Sequence, residues 1–167
     1  SVGLGIHDDP HGTGPIQGLE APMDCVREHE PHLAELCEQY EAVDFLCLKS
    51  FSHNVARCWS PDRWALVGEA GAFVDPLYSP GTDFIATANH FTVEMIRAER
   101  AGEDLQAKSH HLNLLYRSLF SGCADLYKEA QAVYGHPSAM STKVFWDNML
   151  YWSFTCHLVH QGVYKLS

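Results

Sequence analysis

Residues 64–89, WALVGEAGAFVDPLYSPGTDFIATAN, constrain the fold more than any other part of the chain. Trp64-Ala65-Leu66-Val67 is a short apolar run that predicts a buried strand. It leads directly into Gly68, then Glu69 and the small residues Ala70 and Gly71. Asp75-Pro76 begins an irregular turn, and Gly81 opens a helix. An acidic side chain at the carboxyl end of a strand is placed to accept hydrogen bonds from ligand hydroxyls. Small neighbours let a backbone approach that ligand closely. A helix starting near Gly81-Thr82 offers unpaired N–H groups and a positive dipole end to an anionic or electron-rich group. Composition and spacing leave open the alternative of a connection that only packs.

After this stretch the apolar period becomes helical. Phe84, Ile85, Ala88, Phe91, Met95 and Ile96 form a stripe ending near Ala101-Gly102, with Gly102 as C-cap. Residues 104–134 predict one long helix or two, ending at Gly135-His136-Pro137. Ser141 is a candidate N-cap for a last helix over residues 142–163, whose face carries Val144, Phe145, Leu150, Tyr151, Phe154, Leu158 and Val159. Its aromatic residues, Trp146 and Trp152 included, occur all round the helix, which predicts burial.

The amino half is mixed. Val2 to Ile6 reads as a short β segment, and residues 7–22 as a loop rich in Gly and Pro. Within that loop, Gly12-Thr13-Gly14-Pro15-Ile16-Gln17-Gly18 has the look of a phosphate-cradling turn. Pro15 removes a needed donor and Pro22 follows soon after, so the mechanism fails. Residues 23–43 have helical spacing, with Val26, Leu33, Leu36 and Cys37 on one side and Pro31 opening a second half. Phe45-Leu46-Cys47-Leu48 and Val55-Ala56-Arg57-Cys58-Trp59 have strand composition, and Ser60-Pro61-Asp62 makes a turn.

A chain of 167 residues is enough for one domain and one sizeable core. Its formal net charge of −10 argues against nucleic acid or an anionic membrane as the main partner. No apolar run approaches the roughly 18 residues of a membrane span. The six cysteines have no close pair, and no secretion signal is visible, which together predict reduced thiols and a cytoplasmic protein. Cys25, Cys37 and Cys47 have apolar or helical contexts that predict burial.

The 64–89 stretch closely resembles the second FAD-binding motif of flavin-dependent halogenases and the related FAD-dependent aromatic hydroxylases. That motif reads Gly-Asp-Ala, about five residues, Pro, a few more, and Gly at a helix start. The likeness extends over residues 1–105, and beyond it the chain has a general likeness to the helical tail of the halogenases. The resemblance implies an α/β fold: the carboxyl-terminal part of a glutathione-reductase-like FAD-binding fold followed by a mostly helical tail. Residues 1–103 would be a partial FAD-binding and substrate region, and residues 104–167 the helical carboxyl-terminal region.

The cofactor implied is FAD, held by Gly68, Glu69, Ala70, Pro76, Ser79, Gly81, Thr82 and Asp83. Glu69 stands where the family has Asp, which keeps the acceptor chemistry and moves the oxygen outward by one methylene. The loop 76–81 would lie beside the isoalloxazine ring, with the Gly81, Thr82 and Asp83 amides aimed at its N1–O2 edge. The implied activity is that of a flavin monooxygenase of the halogenase or hydroxylase type. Reduced FAD and oxygen would act on an aromatic, carrier-tethered or otherwise electron-rich small molecule, as in biosynthetic enzymes.

Two departures matter. Halide in the halogenases is held by consecutive N–H groups of a Ser/Thr-Gly segment. Here Ser79 and Gly81 are separated by Pro80, which has no N–H. Losing one hydrogen bond to a charged partner costs about 1.5–3 kcal/mol, roughly a tenfold or greater loss of affinity. The second departure is the lack of the Gly-x-Gly-x-x-Gly pyrophosphate turn, the Trp-x-Trp-x-Ile segment and the family's lysine in context. The chain therefore looks like the carboxyl-terminal part of a flavoenzyme, with the missing amino-terminal half as a partner. The alternative is a catalytically silent fragment or the partner-binding half of a split flavoprotein.

Other chemistry has less support. Cys156, His157 and His160 share neighbouring helix faces but make only three ligands, and His7, Asp8, Asp9 and His11 read as a solvated loop, so no metal is expected. Ser79 is not in a Gly-x-Ser-x-Gly elbow, which leaves hydrolysis unsupported. No catalytic acid or base is identifiable.

Overall fold

The computed structural model describes residues 2–4, 18–48 and 52–162, the side chains of Glu129 and Gln131 excepted. The chain divides into two compact units, residues 1–49 and 50–167. The nucleotide-loop lookalike and the His7–His11 cluster lie outside the described residues, apart from Gly18.

The first unit is a pair of short helices. α1 spans Glu20–His29 and α2 spans Pro31–Glu38, with Pro31 in the first turn of α2. Proline there gives up an N–H that has no intrahelical partner anyway and supplies a helical φ, so it opens the second helix. Val26 and Ala34 are buried. Arg27 bridges the two helices, with Nε 2.8 Å from Glu38 Oε1 and Nη1 2.8 Å from Asp24 Oδ1. These pairs are exposed and add little stability.

The second unit holds the core. β1 (His53–Asn54) pairs antiparallel with β2 (Ala72–Phe73), matching His53 to Phe73 and Asn54 to Ala72. A tight turn follows β1. Ser60 N donates to Trp64 O at 3.2 Å, Leu66 N to Cys58 O at 2.8 Å, and Trp59 bridges Ala65. Ser60 Oγ closes the expected turn by donating to Asp62 Oδ2 at 3.0 Å and accepting from the Asp62 amide at 3.1 Å.

α3 (Gly81–Ala101) ends on Gly102 at φ +71°, whose amide reaches Glu99 O. α4 (Leu105–Ala130) is one uninterrupted helix, capped by Asp104 Oδ1, which accepts from the Gln106 and Ala107 amides at 2.9 and 3.1 Å. The short connection returns α4 against α3. Their apolar stripes close on Trp59, which meets Phe91 and Tyr116 edge-on at 5.5 and 5.2 Å. Phe84 meets Tyr116 at 5.6 Å. Trp59, Phe84 and Tyr116 are each about 1% exposed, and complete burial of one such side chain contributes about 1.5–3 kcal/mol.

The chain continues through α5 (Pro137–Leu150), a π-helical turn at Tyr151–Cys156, and α6 (His157–His160). Helix thus dominates the described residues, and the expected α/β character of the amino half is reduced to two strands of two residues each. Val2 to Leu4 and residues 41–48 have no regular structure, and Leu46 and Leu48 are exposed. A strand-like composition makes a strand only where another backbone completes its ladder, and no described segment pairs with these. Trp64 and Val67 are likewise 40% and 50% exposed rather than buried.

Three further expectations are corrected. Ser141 does not cap a helix; it lies within α5, where Oγ donates back to Pro137 O at 2.7 Å. The helix begins earlier because Pro137 suits a first turn. The aromatic residues of this last region are not buried: Phe145, Trp146, Trp152 and Phe154 are each at least 60% exposed. Cys47 is exposed, and Cys25 and Cys37 are half-buried, although all six thiols are free.

Candidate functional site

The segment 68–83 is built around departures from regular backbone. Gly68, at φ +64°, opens a single 3-10 turn, Gly68–Ala70, which takes the place of the expected strand end. Gly71 is buried, and a Cβ there would come within 2.6 Å of Cys58 Sγ. β2 then seats the chain, and Ser52 Oγ donates to Val74 O. Asp75 Oδ1 accepts the Leu77 amide at 2.8 Å, the side-chain-made turn that an Asp-Pro pair predicts.

Tyr78 and Ser79 follow at φ +59° and +55°, in the left-handed region that residues with a Cβ seldom occupy. Such conformations cost of order 1–3 kcal/mol each and persist where surrounding contacts over-determine them. Those contacts come from the carboxyl half. Tyr127 on α4 donates its hydroxyl to Leu77 O, and its ring lies 6.1 Å from that of Tyr78. The Tyr78 hydroxyl donates to Asp147 Oδ2 on α5 at 3.1 Å, and Lys143 Nζ lies 2.9 Å from the same oxygen. Burial first, then the bond to Asp147, pushes the Tyr78 phenol up to about 12. Tyr127 is also raised, chiefly by burial.

The loop delivers its chain into α3. Pro80 is the buried N-cap, and Thr82 Oγ1 donates to Ser79 O at 2.9 Å. The Ser79 amide is engaged with Pro76 O at 3.0 Å, the Thr82 amide reaches Ser79 O at 3.4 Å, and the Phe84 amide reaches Pro80 O at 3.0 Å. Among the described residues, the Gly81 and Asp83 amides meet no acceptor. The Glu69 carboxylate lies over Gly81, in the space that a Cβ at that position would fill. His53 Nε2 lies 3.0 Å from Glu69 O and ties β1 to the same turn.

Asp83 Oδ1 accepts from the Tyr151 hydroxyl at 3.0 Å. The π turn sets Tyr151 and Cys156 together. The thiol, burial and the Asp83 carboxylate, in that order, raise the Tyr151 phenol. Extra residues of this kind in a helix often mark functional positions.

Of the residues singled out from sequence, Glu69, Gly81, Thr82 and Asp83 come together at the start of α3. Gly68 and Ala70 flank Glu69 in the 3-10 turn, while Pro76 and Ser79 lie on the exposed face of the strained loop. Tyr78, Tyr127, Lys143 and Asp147, which hold that loop, were not singled out, and Tyr151, which reaches Asp83 in α3, was read only as part of the last helix's apolar face. Lys143 and Asp147 do carry a readable signal, an ion pair at a spacing of four on a helix. Its third member, Tyr78, is a tertiary fact. Among the described residues no group of three or more His, Cys, Asp or Glu side chains is placed to hold a metal, and no helix is long and apolar enough to cross a membrane.

The chain is similar to a flavin-dependent halogenase. That relative is flavin-dependent halogenase chlA of Dictyostelium discoideum, 25% identical over 155 residues, which make up 92% of this chain and 26% of the relative. The chain thus spans about a quarter of the length of the curated relative it matches. No family model matches, and no solved structure matches.

Proposed function

We propose that this chain is the carboxyl-terminal part of an FAD-dependent monooxygenase of the halogenase or hydroxylase type, acting on an aromatic or other electron-rich small molecule. The observation that carries the reading is the amino end of α3, whose Gly81 and Asp83 amides meet no acceptor among the described residues. A strained loop presents these two amides within a sequence that resembles the second flavin motif. Similarity to a flavin-dependent halogenase along 92% of the chain supports it.

The residues fit the electron-rich edge of a flavin on one condition. Glu69 covers Gly81, so its exposed side chain must rotate aside, after which its carboxylate can accept from ribityl hydroxyls. The Gly81 and Asp83 amides and the α3 dipole would hold the ring edge and favour an anionic reduced form. Bound FAD supplies the redox chemistry, and the protein's part is orientation and electrostatics. With the Ser79 amide engaged by Pro76 and no N–H on Pro80, halide would have Gly81 as its main amide in this loop. That favours oxygenation over halogenation. The α/β architecture of glutathione-reductase type would then be completed by the amino-terminal half.

The second reading is a catalytically silent half-site, favoured by Pro80 and by the carboxylate lying over Gly81. FAD released per chain on denaturation, measured with the intact mass of every polypeptide in the sample, separates them. About one FAD per chain, alone or with a second polypeptide, supports the monooxygenase reading, and Glu69→Gln should then change flavin affinity. No flavin after addition of excess FAD to this chain joined to its amino-terminal half overturns it in favour of the silent half-site.

A further inference from the structure

A second concave site lies away from the loop, between α4 and the segment that follows β1. Gln106, His110, Asn113 and Arg117 recur at spacings of four, three and four, so they share one face of α4. That face fronts a cleft of about 240 Å³ whose other wall includes Arg57. Asn113 is its fixed floor. Oδ1 accepts from the Cys58 and Trp59 amides at 2.6 and 3.3 Å, and Nδ2 donates to Trp59 O and Ser109 O at 2.8 and 2.7 Å. With its oxygen and nitrogen both engaged, Asn113 ties α4 to the segment that follows β1 and so sets the separation of the two walls.

The charges are unusual for this chain. Its net charge is −10, yet among the described residues no Asp or Glu lines the cleft. Arg27, Arg63 and Arg97 are each ion-paired. Arg57 and Arg117, which both line the cleft, pair with no described carboxylate, as does Arg100 outside it; Arg57 lies over the Trp64 ring, 5.1 Å from its centroid. Stacking holds the guanidinium plane and leaves its N–H edge available. Two guanidiniums answer a double negative charge and bind tetrahedral oxyanions through paired N–H groups. Ala56, Pro61 and Leu114 supply an apolar margin for whatever carries the anion.

We propose that this cleft binds a dianionic phosphoryl group, free or carried by a small molecule, with Arg57 and Arg117 as its main donors. The proposal is independent of flavin binding. Calorimetric titration of the full chain with inorganic phosphate, phenyl phosphate and acetate tests it, with Arg57→Gln/Arg117→Gln as the diagnostic variant. Arg63→Gln, which touches the Glu99 pair outside the cleft, is the control. The expected result is saturable binding of both phosphates and a loss of about tenfold or more in the double variant. Acetate should bind more weakly and Arg63→Gln should bind as the parent does. Tighter binding of phenyl phosphate than of phosphate would assign the source to a carried group; equal binding would assign it to free phosphate. The proposal is overturned by no binding of either phosphate, by unchanged binding in the double variant with native circular dichroism, or by acetate binding as tightly as phosphate.

Discussion

The Tyr78 hydroxyl donates to Asp147 Oδ2 across 69 residues of sequence, at 3.1 Å, and so fastens a left-handed loop residue to a helix of the carboxyl half. Lys143 balances the carboxylate from the same helix. The contact joins the candidate flavin loop to a region that, read along the chain, looks like an accessory tail.

Asp147→Ala removes the acceptor and leaves Lys143 without its counter-charge in a poorly solvated place. A loss of about 2 kcal/mol in stability is expected, since hydrogen bonds to charged groups are worth about 1.5–3 kcal/mol. Tyr78→Phe removes the same hydrogen bond but leaves Asp147 paired with Lys143, so its cost should lie at the low end of that range, about 1.5 kcal/mol. Denaturant unfolding gives both values. Hydrogen exchange of amides 76–83 should accelerate in Asp147→Ala; unchanged protection there would mean that the loop holds its own shape.

Gly71→Ala sets a methyl group 2.6 Å from Cys58 Sγ, inside a packed core. Overpacking of this kind costs about 1–3 kcal/mol. Cys58→Ala removes the sulfur that is struck, so the double variant should lose less than the sum of the single losses. Strict additivity in thermal unfolding would show that the strain is absorbed elsewhere.

Tyr116 is almost completely buried and its hydroxyl has no hydrogen-bond partner among the described residues. Tyr116→Phe should therefore be neutral or stabilising at pH 7, because it removes a desolvated, unsatisfied group. Burial also raises Tyr116 from 10.0 to about 12 and the Cys58 thiol from 9.0 to about 11. Both groups are neutral when protonated and bind their protons more tightly in the folded state. Their contribution is complete below the unfolded values and is lost as pH rises through the folded ones. Stability should fall from pH 9 upward, and Tyr116→Phe should flatten the part between pH 10 and 12. A parallel profile in the variant would contradict the burial of this phenol.

Gly102→Ala places a Cβ at φ +71°, at the end of α3, with open space around it. The cost is backbone strain alone, about 1 kcal/mol. A melting temperature equal to that of the parent would mean that the helix end has re-formed with a different cap.

The sequence by itself determined the local devices. Pro31 opens α2, Asp75-Pro76 turns the chain, Gly81 starts α3 and Gly102 ends it, because each acts through its own backbone geometry or nearest amides. The stripe of Phe84, Ala88, Phe91 and Met95 was legible for the same reason, since helical spacing puts those residues on one face. The tertiary structure decided which apolar runs became strands, because a strand exists only when a distant backbone completes its hydrogen bonds, and Phe45 to Leu48 has no such partner among the described residues. It also decided which side chains hold the loop, because Tyr78 meets Asp147, and Tyr151 meets Asp83, through packing of helices far apart in the chain.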